Sequence, residues 1–102
     1  MPHIWCWSKL HWAMAESHTG HLDRAARILN DILPTARLNH YRGVSAWASA
    51  LLADIAYRSN APDRVALARR ARRFADRVGL SWKFAGAEWA LTAGERPPAA
   101  AA

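Results

Sequence analysis

The sequence predicts an all-α fold, and three observations carry that expectation. The segments between turn-forming residues place apolar residues at helical spacing, and none alternates apolar and polar residues long enough to make a strand. Alanine fills 23 of the 102 positions, which suits helices that approach one another closely. Turn residues at Gly20, Pro34, Asn60-Ala61-Pro62, Gly79 and Gly94 cut the chain into helix-sized pieces. A chain of this length is one domain or a piece of one.

The first helix is expected over about His3 to His18, rich in Trp and Ala. The second is expected over about Leu22 to Leu33. Its residues Leu22, Ala25, Ala26, Ile28, Leu29, Ile32 and Leu33 share one side of the helical wheel, and Pro34 is expected to end it. The third, about His40 to Arg58, is apolar on nearly every side. Only Ser45, Ser49 and Asp54 interrupt Val44 to Ala56, so neighbours on both sides should sandwich it. The fourth runs from about Ala61 to Val78, with Asn60 as a cap, Pro62 in the first turn and Asp63 at the positive end. Gly79 closes it in a left-handed cap. A fifth helix is expected over about 81–93, and 95–102 is expected to be a flexible tail.

Hydrophobic residues make up 52% of the chain and charged residues 22%, which excludes disorder by composition. The net charge is +6, from 14 basic and 8 acidic residues, and favours polyanions or acidic protein partners. A lone cysteine, Cys6, rules out an internal disulfide and fits a reducing compartment. The N-terminus lacks a basic stretch followed by an apolar one, and no apolar run is long enough for a membrane span. The expected location is cytoplasmic.

Sliding the chain on itself by 40 residues aligns Trp7 with Trp47, Ala13 with Ala53 and Ala93, Asp23-Arg24 with Asp63-Arg64, and Ala26 with Ala66. Both times an apolar helix precedes an amphipathic one. The stretch Leu51-Leu52-Ala53-Asp54-Ile55-Ala56, the turn at Asn60 and Val65-Ala66-Leu67-Ala68-Arg69-Arg70-Ala71 resemble a tetratricopeptide-type helix pair. So do Ala13-Met14-Ala15, Gly20 and Leu22-Asp23-Arg24-Ala25-Ala26. Ala75-Asp76-Arg77-Val78-Gly79-Leu80-Ser81-Trp82 resembles the link between repeats in the MalT-like arrays of bacterial LuxR-type and SARP-type transcription regulators. The resemblance covers about residues 5–94. It departs from the tetratricopeptide pattern at Glu16, where a Tyr is expected, and at Pro34, which comes early. It implies a short α-solenoid of about five antiparallel helices, in pairs 3–34 and 39–79 with an unpaired helix at 81–93. In such an array each pair leaves an apolar face for the next to cover. Trp82, Phe84, Trp89 and Leu91 would form such a face, to be hidden by further repeats or by a second copy through Trp82 and Trp89.

Chemistry-bearing clusters are few. His3, His11, His18 and His21 lie near Cys6 and Met14 but lack the spacings of metal sites, so neither a metal nor a cofactor is expected. Arg69, Arg73 and Arg77 form a row one turn apart that can meet phosphates. No Gly-rich phosphate loop and no nucleophile motif is present, and an enzyme is not expected. The expected function is a protein-interaction module, with Tyr41, Trp47, Asp54 and Arg58 in a concave groove. The resemblance implies a place in the sensing or self-association part of a transcription regulator. The alternative is non-specific nucleic-acid binding through Arg69, Arg73 and Arg77.

Overall fold

A computed structural model describes residues 2–79 of the chain. The helix expected at 81–93, with Trp82 and Trp89, and the tail at 95–102 lie outside the described residues. Four helices make up the rest: α1 (Pro2–His18), α2 (Leu22–Leu38), α3 (Arg42–Arg58) and α4 (Arg64–Val78). Among the described residues there is no strand, so the all-α expectation holds.

Three turns reverse the chain in the same way. The residue at the turn takes left-handed backbone angles each time, at Gly20 (φ 87°), His40 (φ 56°) and Asn60 (φ 56°). The following amide then donates back to the carbonyl five residues earlier. His21 reaches Glu16, Tyr41 reaches Ala36 and Ala61 reaches Ala56, at 2.9, 2.8 and 2.8 Å. These bonds satisfy the orphaned carbonyls of each helix end. The preceding side chain does the same, with Thr19, Asn39 and Ser59 each donating to the carbonyl four residues back. Asn60 is therefore a turn residue and not the expected cap. The residue before α4 is Asp63, which makes no side-chain capping bond. Gly79 takes the left-handed cap (φ 72°) as expected.

Pro34 does not end α2. The helix runs on for another turn to Leu38, and the first hairpin closes at Leu38. Proline removes one helical hydrogen bond and crowds the preceding turn, at a cost of about 3 kcal/mol in a helix interior. Here Pro34 is on the exposed side, and the turn beyond it buries Ala36 completely. The opposite side of the helix stays packed across the proline, with Leu33 and Ala36 both in the core.

α1 packs on α2, α2 on α3 and α3 on α4, while α1 also touches α3. The backbones of α2 and α4 do not meet. α3 is thus the central helix, as its all-round apolar surface requires. Val44, Ala48, Leu51 and Ile55 join the core made by α1 and α2. Ala50 and Ala53 face Ala68 and Ala71 of α4. Among the described residues no helix is long and apolar enough to cross a membrane.

Candidate functional site

Two residues that align under a 40-residue shift of the chain, Trp7 in α1 and Trp47 in α3, lie side by side. Trp7 and Trp47 meet edge to face with ring centroids 5.7 Å apart. Tyr41 meets His3 at 4.8 Å, and His3 in turn accepts a 2.9 Å hydrogen bond at Nε2 from the indole N–H of Trp7. His11 lies 6.2 Å from the Trp7 ring, the two rings tilted by 45°. This cluster of His3, Trp7, His11, Tyr41 and Trp47 bridges the α1–α3 junction. The indole N–H of Trp47 is buried without an acceptor among the described residues. Tyr41 and Trp47 are thus brought together, though they belong to an aromatic seam.

Asp54 and Arg58 lie elsewhere. They sit two to three turns further along α3, roughly 16 Å from Trp47 to Arg58 at helical rise. Asp54 is buried, and Arg58 reaches both its carboxylate at 3.5 Å and the end of α1. The guanidinium donates to the Ser17 hydroxyl at 2.6 Å and to the Ser17 carbonyl at 2.8 Å. A cation on the last carbonyls of a helix satisfies them and meets the negative end of the helix dipole. Arg58 is therefore a clip between α3 and α1. Ser17 was not among the expected site residues, since nothing in its own helix marks it.

Arg69, Arg73 and Arg77 are all exposed on α4, with Arg77 over the Phe74 ring at 5.4 Å. The four N-terminal histidines do not converge on Cys6. Among the described residues no three His, Cys, Asp or Glu side chains are grouped to hold a metal. Cys6 is buried in the core, and that burial pushes its thiol pKa up, away from the thiolate a nucleophile needs.

Two further surfaces escape a reading of single helices. On the outer side of α1, Ile4, Trp5 and Trp12 are 61%, 37% and 50% exposed. Lys9 lies between the two indoles, 5.3 Å from the Trp5 ring and 5.6 Å from the Trp12 ring, and pairs with Asp31 of α2 at 3.3 Å. The second surface is a groove of about 340 Å³ where α2, α3 and α4 surround an opening. Arg37, Asn30 and Pro34 line it from α2, Ser49 and Leu52 from α3, and Leu67, Arg70 and Ala71 from α4. Arg37 lies beyond Pro34, past the point where the sequence predicts the end of α2. No family model matches the chain, and no curated protein or solved structure matches it either.

Proposed function

We propose that the chain is a non-catalytic protein-interaction module made of stacked helix hairpins. One observation carries this reading. A shift of 40 residues carries Ile4 to Val44, Trp5 to Ser45 and Trp12 to Leu52. On α3, Val44 and Ser45 are 1% and 3% exposed, and Leu52 packs against the core shared with α2. On α1 the same positions are open apolar surface. The α1 face is a joint of the kind that α3 has already closed, and it suits another amphipathic helix. In a longer array that helix belongs to the neighbouring hairpin; for this chain alone it belongs to a second copy. The resemblance to MalT-like arrays supports a role in the sensing or self-association part of a transcription regulator.

Sedimentation velocity over a concentration series tests the reading. The wild-type chain should associate reversibly, and Trp5→Glu/Trp12→Glu should be monomeric with an unchanged helical circular-dichroism spectrum. A wild type that stays monomeric at every concentration would overturn self-association through this face.

A second reading rests on the exposure of Arg69, Arg73 and Arg77 along one face of α4. It is non-specific nucleic-acid binding. Changing all three to Ala should then lower the slope of log affinity against log salt by about 2 to 3. Salt-insensitive binding would eliminate it.

A further inference from the structure

The groove between α2, α3 and α4 has a composition that the joint on α1 lacks. Two arginines, Arg37 and Arg70, line it from helices whose backbones do not meet. No acidic side chain is in the lining, and neither arginine forms an ion pair among the described residues. The floor is aliphatic, from Leu33, Leu52 and Leu67. Its volume is at the small end of the range for ligand sites, enough for a few side chains.

Pro34 adds a third element. A helical residue at position 34 would donate its N–H to the carbonyl of Asn30, and proline has none to donate. Asn30 and Pro34 both line the groove, and proline at 34 supplies no N–H to the Asn30 carbonyl. Ser49 adds acceptor capacity, because its hydroxyl proton is already committed to the Ser45 carbonyl at 2.8 Å. The groove therefore offers charged donors for an anion, acceptors for an N–H, and apolar surface between them. A fatty acid or a phosphate brings the anion but no N–H. A peptide backbone with an acidic side chain brings all three.

We propose that this groove binds a short acidic peptide segment. Arg37 and Arg70 hold its carboxylate, Leu33, Leu52 and Leu67 receive a neighbouring apolar side chain, and the Asn30 carbonyl accepts one of its backbone N–H groups. The proposal rests on the protein-interaction reading but uses a surface separate from Trp5 and Trp12. Charge-assisted bonds to a carboxylate supply most of the selectivity.

The test is fluorescence anisotropy with an acetylated peptide of alternating leucine and glutamate, carrying an uncharged coumarin label, and its glutamine counterpart. The glutamate peptide should bind, and the glutamine peptide should bind roughly ten-fold more weakly. Arg37→Gln and Arg70→Gln should each weaken the glutamate peptide to a similar degree, roughly ten-fold. Pro34→Ala restores the missing N–H, so it should weaken peptide binding while raising the melting temperature. A merely destabilising role for Pro34 would leave binding unchanged. Trp5→Glu/Trp12→Glu should abolish self-association and leave peptide affinity intact, so failure of the joint and failure of the groove are distinguishable. Equal binding of the two peptides, binding of neither, or indifference to both Arg variants would overturn the proposal. So would displacement of the peptide by an equal concentration of inorganic phosphate, which would make the groove a bare anion site.

Discussion

The hairpins α1–α2 and α3–α4 share turn geometry but have unlike interiors. The first hairpin, with the near side of α3, buries large aliphatic side chains. Leu10, Leu29, Ile32 and Val44 are all in its core, and each is less than 2% exposed. The buried side chains of α4 are alanines, Ala68, Ala71 and Ala75. Alanine allows close helix approach but removes little apolar surface from water, and burial free energy scales with that area. Helix formation is also less favoured where packing contributes less, because tertiary burial supplies most helical stability in proteins. The same backbone plan thus yields a half packed on large side chains and a half held lightly, on alanines. The lightly held half carries the exposed arginine row and one wall of the groove.

The strongest way to break the comparison is through its heavy side. Leu29→Ala removes a completely buried side chain from the shared core and should cost about 2–5 kcal/mol in urea unfolding. Ala71→Gly on the light side should cost about 1 kcal/mol, chiefly through helix propensity. Equal costs would erase the distinction. Arg58→Met tests the clip that ties α3 to the end of α1. It leaves the buried Asp54 and the last carbonyls of α1 short of a donor and should cost about 1–3 kcal/mol. Its effect should persist in high salt better than that of Lys9→Met, whose partner Asp31 is exposed. The smallest effects lie in the turns. His40→Gly relieves a left-handed residue and should gain up to about 1 kcal/mol. Gly20→Ala should lose about 1 kcal/mol at the matching turn, where an added Cβ meets nothing and only the backbone matters. Thermal melts of the two variants should therefore shift in opposite directions.

Much of this architecture is legible in the chain. α1, α3 and the end of α4 follow from apolar spacing and from Gly20, Asn60 and Gly79. The sandwiching of α3 follows from its apolar residues on every side. The 40-residue shift aligns Trp7 with Trp47, and these two rings meet in the fold. Two features are not legible, for physical reasons. Pro34 reads as a stop because its local cost is large, and the tertiary packing of Leu33 and Ala36 on either side of it is invisible to helical periodicity. His40 carries none of glycine's freedom at positive φ, so the real turn is hidden. That single error also conceals Arg37, which becomes a groove residue only once α2 extends past Pro34. Arg58 and Ser17 are 41 residues apart, and helical periodicity is silent about such pairs.

Native-state hydrogen exchange, read amide by amide, tests the unequal hairpins most directly. Amides of α2 and of the central turns of α3 should exchange only through global unfolding. Those of α4 should exchange earlier, through a partial opening of lower free energy that Leu29→Ala leaves in place. Protection in α4 equal to that in α2 would contradict the account.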